Sequence, residues 1–312
     1  LLLRGGVTTV SAHKLFEIVS KIPEGVMVGM HLTEGGNRLS IVAGKAKFSL
    51  ACLPADAFPD MTNVEDGVTF SLPAEVLGKA LAKAQFAVSA DDTRAYLTGV
   101  YMHVPTDVED AVLRFVSTDG HRLAKVDIAL PEGAAEVSPV IFPRKCVSEL
   151  RKLAENGKDI CLTVSDTKVQ AESGDIQLTS KVIDGTFPDY DRVIPKENKA
   201  MMAVARKTLT QAVDRVAILS HEKSRSIRFS LGKDLLTISA NNPDQENASE
   251  EVKVGYQDDE LAVGFNAKYV AEVGSQVEGD DIEFYFKDSA SPVLVKDPAD
   301  ATALFVVMPM RI

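Results

Sequence analysis

Tryptophan is absent from this 312-residue chain, and the aromatic share is only 6%, so apolar packing has to rest on Val, Leu, Ile, Ala and Phe. Cysteine is scarce. Cys52, Cys146 and Cys161 show no CxxC spacing and no His at ligand distance, which excludes a disulfide framework and a zinc site and suits a reducing cytoplasm. Basic charge is in deficit: 34 Lys plus Arg face 45 Asp plus Glu, a net charge of -11. That balance excludes a uniformly basic nucleic-acid binder but is compatible with a basic face on an acidic body. Long apolar runs are missing too. The longest near an end, residues 303–308, falls far short of a membrane span, and the start at Leu1 carries no signal-peptide pattern. No GxxxxGK[ST], GxSxG or HExxH segment occurs, so ATP hydrolysis, serine esterase and zincin chemistry lack their phosphate, oxyanion or metal parts. No cofactor or metal is expected.

The composition that remains, 45% hydrophobic and 25% charged, is that of a globular protein with ample core, and the length predicts two or three domains. One stretch organises the reading. Thr118-Asp119-Gly120-His121-Arg122-Leu123 places an Asp-Gly turn between the apolar runs 112–116 and 123–130, a tight strand-to-strand corner.

The rest of the chain repeats. Residues 11–21 set Ala12, Leu15, Phe16 and Val19 on one helical face, and Pro23-Glu24-Gly25 stops the helix. Strands follow at 26–32, 39–42 and 48–52, then a Phe58-Pro59-Asp60-Met61 corner. A second copy has a helix at 143–155, strands at 160–164, 169–171 and 176–180, and the corner Phe187-Pro188-Asp189-Tyr190. A third opens at Phe265-Asn266-Ala267-Lys268-Tyr269-Val270 and ends in Phe305-Val306-Val307-Met308-Pro309-Met310-Arg311-Ile312. A different half-unit alternates with these: a strand at 70–72, a helix at 73–86 and strands to Leu130, then a strand at 202–204, a helix at 206–219 and strands to Val254. The turn at 118–122 falls where Asn241-Asn242-Pro243-Asp244-Gln245 falls in the next copy. Half-units of one helix backed by antiparallel strands give an α+β, quasi-symmetric architecture. Domain boundaries are expected at 1–66, 67–197 and 198–312. The first of these lacks the opening half-unit, and the repeat leads us to expect roughly half a domain ahead of Leu1, through truncation or a fragmentary gene.

The motifs TDGHR, FPDYDRV, GFNAKYV and VVMPMRI, in this order and spacing, resemble those of the bacterial DNA polymerase III beta subunits, the sliding clamps. The resemblance covers the whole chain. It implies a DNA-clamp fold of three repeated domains, assembled head to tail as a homodimeric ring whose helices line a hole threaded by duplex DNA. It implies a cytoplasmic, non-catalytic processivity factor with no membrane contact. Its partners would be the polymerase III alpha subunit, the clamp-loader delta subunit and other polymerases and repair proteins, docked by short linear peptides. Carried over residue by residue, the peptide site comprises Leu97, Thr118, Gly120, His121, Arg122, Leu123, Pro188, Arg192, Val193, Asn266, Tyr269, Val306, Val307, Met308, Pro309, Met310 and Arg311. Two Met side chains adapt to varied apolar anchors, and Arg and His on the rim can fix polar groups. The tail beyond Pro309 is expected to have no further strand to complete. Ser224, Ala290, Pro292 and Ile312 depart from the family pattern at the pocket edge.

The residues support DNA contact on their own terms. The helix at 143–155 carries Arg144, Lys145, Arg151 and Lys152 against Glu149 and Glu155; Lys79 and Lys83, then Arg206, Lys207 and Arg215, extend the basic face to the other helices. Arg94 and Tyr96, expected on a strand before Leu97, are further candidates by resemblance, with cross-strand packing the competing role for Tyr96. Contacts to phosphate alone give non-specific, mobile binding. Ring closure is expected to set Phe48 and Leu50 against Ile218 and Leu219, with Lys45 and Lys47 facing Glu246 and Glu250. Two readings compete: a hydrolase or transferase using Asp119 and His121, with His221-Glu222 nearby, and a scaffold that never meets DNA.

Overall fold

In the computed structural model, residues 5–33, 35–58, 64, 66–106 and 108–311 are described. The corner residues Pro59, Asp60 and Met61 and the terminal Ile312 lie outside them, as does the segment 1–4. The chain divides into two compact units, Leu1–Thr62 and Asn63–Ile312.

The first unit is a four-stranded antiparallel sheet with one helix: β1 (Thr9–Val10), α1 (Ala12–Ser20), β2 (Val28–Leu32), β3 (Arg38–Ala43) and β4 (Ala46–Leu53), in the order β1-β4-β3-β2. Alternation on β3 and β4 turns Leu39, Ile41 and Leu50 inward to make its small core, with Leu15, Ile18 and Phe48 packed around it. Ser11 caps α1 by accepting the Lys14 N–H, yet no residue of that helix is fully buried and Phe16 is 72% exposed.

The second unit opens with β5 (Val68–Leu72) and α2 (Ala74–Gln85), followed by β6 (Gly99–His103), β7 (Val112–Thr118), β8 (Arg122–Ala129) and β9 (Val140–Pro143). Next come α3 (Arg144–Ala154), β10 (Ile160–Val164), β11 (Lys168–Ser173) and β12 (Ile176–Lys181). The same succession then recurs as β13 (Ala200–Ala205), α4 (Arg206–Ala217), β14 (Ser226–Gly232), β15 (Leu235–Asn241), β16 (Asn247–Lys253) and β17 (Leu261–Asn266). It closes with α5 (Ala267–Gln276), β18 (Asp281–Phe286), β19 (Val293–Asp297) and β20 (Asp300–Val307). Helices pair α2 with α3 and α4 with α5, and each pair lies on sheets through one continuous core. The missing Trp volume is supplied by Phe: Phe115, Phe142, Phe229, Phe265, Phe284, Phe286 and Phe305 are all fully buried. Period-two patterning explains the strands, as in β18, where Ile282, Phe284 and Phe286 point in and Asp281, Glu283 and Tyr285 do not. Each of α2 to α5 buries a stripe, as Cys146, Val147, Leu150 and Leu153 do on α3. Among the described residues no helix is long and apolar enough to cross a membrane.

Two features of the topology set up the site. An eight-stranded antiparallel sheet, ordered β13-β18-β19-β20-β8-β7-β6-β9, runs without a break from the central repeat into the last one, through the β8–β20 ladder. The α4-side half-unit of the last repeat forms its own sheet, β16-β15-β14-β17, in which β16 is an edge. The repeat also holds at single-residue resolution. Thr9 pairs with Leu53, Ile141 with Ile183 and Gly264 with Met310, and in each pair the first member stands three positions ahead of its helix. Phe48 and Phe305 therefore occupy equivalent positions, each five residues before its copy of that bridge and each opposite an inward residue, Ile41 or Val295.

Candidate functional site

The turn at 118–122 is built by its own side chains. Gly120 takes φ +89, a conformation glycine supplies at little cost. Asp119 Oδ1 accepts the N–H groups of His121 (2.9 Å) and Arg122 (3.0 Å), and Thr118 Oγ1 donates to the Arg122 carbonyl at 2.7 Å. The equivalent turn in the next repeat does the same with Asn242, whose Oδ1 accepts from Asp244 and Glu246. Asp119 is thus a turn residue, and its remaining oxygen receives Arg122 Nε at 3.1 Å. The His121 ring stacks on Tyr269 with 6.1 Å between centroids. His221 is likewise committed, its Nδ1 accepting backbone N–H groups of Lys223 and Ser224. Among the described residues, neither histidine stands in an acid/base pair.

The tail joins this turn. Val306 pairs with Leu123 and Val307 with Arg122; beyond the strand, the Met308 N–H donates to the His121 carbonyl and the Met310 N–H to the Gly264 carbonyl, both at 2.8 Å. The expectation of a tail with nothing left to pair is therefore corrected: Met310 completes the third copy of the repeat's bridge. Beneath the junction Leu97, Leu123 and Val306 merge with Val116, Ile141, Phe187, Tyr190 and Leu294 in an apolar cluster separate from the main core. These members, with Val307, form a buried floor. Gly120, His121, Pro188, Arg192, Val193 and Arg311 are exposed, and Thr118, Tyr269, Met308, Pro309 and Met310 are half-buried above it. Arg192, ion-paired to Asp189 at 2.7 Å, lines with Val193 a cavity of about 420 Å³ that also includes Ser291 and Pro292.

The Phe187-to-Val193 corner is held by a polar network. Arg114 forms a two-pronged pair with Asp127 (2.6 and 2.8 Å) and donates to the Tyr190 hydroxyl, which also meets His103 Nε2 at 2.9 Å. Burial pushes the Tyr190 phenol up to about 12, and burial together with the Arg114 cation holds His103 below its ordinary range.

Several expected roles change once the side chains are placed. Arg122 is not a rim residue. It is 8% exposed, bonded to Asp119 and Glu272, and lies over the rings of Phe86 (5.2 Å) and Tyr269 (4.6 Å). Asn266 is spent as the α5 cap, accepting from Lys268 N and donating to the Ser224 carbonyl. Arg94 and Tyr96 sit on a short 3-10 helix, Asp92–Leu97, and not on a strand. Arg94 is tied to Asp91 and to the Asp119 carbonyl, while Tyr96 is 37% exposed.

The basic residues divide in the same way. Lys83 cannot reach a phosphate: it is 7% exposed and locked between Asp300 and Glu278, whose pull outweighs burial and raises its pKa. Arg215 is held by Glu250 through two bonds, 2.9 and 2.6 Å, so Glu250 is not free to face a lysine. Lys79 is exposed but paired with Glu75 at 2.9 Å. Arg144 donates to the Ser89 carbonyl and Arg206 to the Gly279 carbonyl, both with backbone oxygens and no neutralising carboxylate among the described ion pairs. Lys145 and Lys207 are exposed. On the first unit Leu50 is core, whereas Lys45 and Lys47 are exposed and Phe48 half-buried beside a cavity of about 470 Å³. Ile218 is 77% exposed, and Leu219 is half-buried. Glu246 is exposed and accepts from Asn242 Nδ2.

Sequence reading missed Phe86 and Phe305, which meet edge to face at 5.6 Å across the β8–β20 junction, and it missed Glu272. The signal for Phe86 was available: it immediately follows α2, as Ile218 follows α4.

Comparison with known proteins agrees with the repeat. Family models for the DNA polymerase III beta subunit match its N-terminal domain over residues 4–62, its central domain over 71–189 and its C-terminal domain over 191–311. The beta sliding clamp of Caulobacter vibrioides is 42% identical over 310 residues, 98% of this chain and 83% of that protein. That of Escherichia coli K12 is 37% identical over 308 residues, 98% and 82% of the two chains. A crystal structure of the Bartonella birtlesii sliding clamp bound to griselimycin superposes with a TM-score of 0.91 at 38% identity, covering 99% of this chain and 83% of that one. Matched along its length by all three domain models and by relatives of this identity, the chain belongs to the DNA polymerase III beta subunit family, the DNA sliding clamps, non-catalytic processivity subunits of that polymerase.

Proposed function

We propose that two copies of the chain close head to tail into a ring around duplex DNA, and that the ring carries clients by short peptides seated at the tail and the 118–122 turn. One observation carries the ring: the chain contains a complete copy of the joint it would make with its partner. In that joint β20 pairs with β8, Phe305 opposite Ala124, and Phe86 covers Phe305. The same two kinds of surface recur on the first unit and on the last repeat, and we take them as the halves of a second joint, made between copies. Ladder ends Thr118↔Leu123 and Asn241↔Asn247 make Ala248 the counterpart of Ala124. Ile218 is the counterpart of Phe86, and Phe48 that of Phe305.

The register follows. Phe48 of one copy lies opposite Ala248 of the other, Lys47 opposite Ser249 and Lys45 opposite Glu251, while Ile218 enters the apolar cavity lined by Ile18, Ile22, Pro23, Val26 and Phe48. Antiparallel pairing would satisfy at once the backbone groups of β16 and of the stretch of β4 ahead of its short pairing with β1 at Cys52 and Leu53. The carboxylate facing the lysines is Glu251, since Glu250 already serves Arg215.

Inside the ring, Arg144, Lys145, Arg206 and Lys207 meet phosphates without reading bases, so the tether slides. On the outside, apolar anchors of a client peptide settle among Tyr269, Met308 and Met310, with Arg192 and Val193 at the far end; the polymerase III alpha subunit, the clamp-loader delta subunit and repair proteins are the clients of this reading. Two or three anchors at roughly 1.5–3 kcal/mol each, less ordering costs, yield micromolar affinity suited to exchange. Domain boundaries after residues 66 and 197 fit the starts of β5 and β13, and the three unbridged cysteines fit the cytoplasm. The test is topological. Ring protein loaded on nicked circular DNA should stay bound in high salt and leave when the circle is cut. Equal loss from circular and linear DNA would sink the encircling reading.

A further inference from the structure

We infer that Glu272 is a positioning residue of the partner-peptide site: acting through Arg122, it fixes the Tyr269 ring and the 118–122 turn on which a docked peptide rests. This rests on the peptide-docking reading above.

A guanidinium that is only 8% exposed has to find its counter-charges within the protein, because a buried unpaired cation is costly. Asp119 offers one oxygen, its other being committed to the two N–H groups of the turn. The second charge comes from Glu272, which receives Arg122 Nη1. Glu272 lies on α5, three residues after Tyr269, so one face of one helix presents both the carboxylate that anchors the guanidinium and the ring that the guanidinium covers. Held by two carboxylates, the guanidinium carbon lies over both the Tyr269 and the Phe86 rings. Tyr269 in turn stacks on His121, and the His121 carbonyl takes the Met308 N–H at 2.8 Å. Ring, turn and tail thus converge on one cation, and Glu272 is its only partner from outside the turn among the described ion pairs. The other neighbour of Glu272, Lys268, is 58% exposed and 3.7 Å away, a pair worth little on its own.

Without the Glu272 charge, Arg122 turns toward Asp119 and leaves the face of Tyr269. The anchoring surface then becomes mobile although no peptide contact has been removed. The experiment compares the parent dimer with Glu272→Gln, Glu272→Asp and Lys268→Gln. Calorimetry reads the affinity for a short synthetic peptide carrying one glutamine and two apolar anchors. Near-UV circular dichroism reads tyrosine packing, which is unobscured because the chain has 6 Tyr and no Trp. Glu272→Gln is expected to weaken the peptide by about tenfold, the scale of coupled positioning effects, and to alter the tyrosine band. Glu272→Asp should recover most of both, and Lys268→Gln should stay within about twofold of the parent. Binding by Glu272→Gln equal to the parent's overturns the inference. So does an Asp variant as weak as Gln, or a Lys268→Gln loss as large. A parent that binds no peptide overturns the docking reading, and this inference with it.

Discussion

Replacing Ile218 by Lys is expected to break the ring while leaving each chain folded. The side chain is 77% exposed in the single chain, so the substitution removes nothing from the core. Its counterpart Phe86, the apolar group directly after α2, covers the Phe305 ring within the chain, and the same role toward the partner's Phe48 is the one proposed for Ile218. Burying an isoleucine contributes roughly 1.5–3 kcal/mol, and lysine forfeits it while bringing a charge to an apolar cavity that already has Lys21 and Lys45 at its rim. A two-fold ring breaks two such contacts on dissociation, so the loss is at least about 3–6 kcal/mol, or roughly 10²–10⁴ in the dimer dissociation constant. Sedimentation equilibrium across nanomolar to micromolar loading measures it, with the thermal midpoint at high dilution as the control for folding. A dissociation constant within about threefold of the parent's would refute both the register and the equivalence of Ile218 with Phe86.

Replacing Arg144 and Lys145 together by Ala should lower the salt slope of DNA binding by about two, roughly one per phosphate contact, for any sequence tested; a sequence-selective loss would contradict it. Lys83→Ala should leave that slope unchanged yet cost about 2–4 kcal/mol in denaturant unfolding, because Asp300 and Glu278 lose the buried cation between them. His103 supplies a pH test. Its folded pKa lies below the unfolded value near 6.5, so the unfolded chain binds more protons in that window; the stability contribution is complete above about pH 6.5 and is lost as pH falls through the folded pKa. The thermal midpoint of His103→Gln should accordingly fall less between pH 7 and 5 than that of the parent, and parallel curves would show that the His103–Tyr190 contact carries no such linkage.

The repeat was legible because backbone pattern and turn chemistry are local. Helical periodicity marked α1, the Asp-Gly pair marked the β7–β8 corner, and the helix ends read at 11–21, 73–86, 143–155 and 206–219 fell within about two residues of those observed. What stayed hidden were long-range pairings of charge. Lys83 reads as one more surface cation on an amphipathic helix, and nothing in residues 74–85 reveals that Asp300 waits opposite it. Arg122 has the same history: a turn arginine in sequence, a buried cation between two rings in the fold. The tail misled because its partner, Gly264, contributes only backbone, which leaves no trace in residue type.

The joint inside the chain and the one proposed between chains would share a backbone plan but spend their charges in opposite ways. At the joint inside the chain, Lys83 and Arg122 reach across to Asp300, Glu278 and Glu272, so separation would leave Lys83 without a carboxylate and Arg122 with Asp119 alone. At the joint proposed between chains, the counterpart of Lys83 is Arg215, and it takes Glu250 of its own chain, while Glu246 takes Asn242. Parting that joint orphans neither group. A ring that must get onto continuous DNA has to open somewhere, and of the two joints the one proposed between chains would strand fewer buried charges. Glu250→Ala tests the logic directly. With Arg215 freed toward the lysines of the partner's first unit, the dimer dissociation constant should rise by about tenfold at low salt and by less at high salt. An unchanged constant at low salt would mean that the Arg215–Glu250 pair does not set how the ring parts.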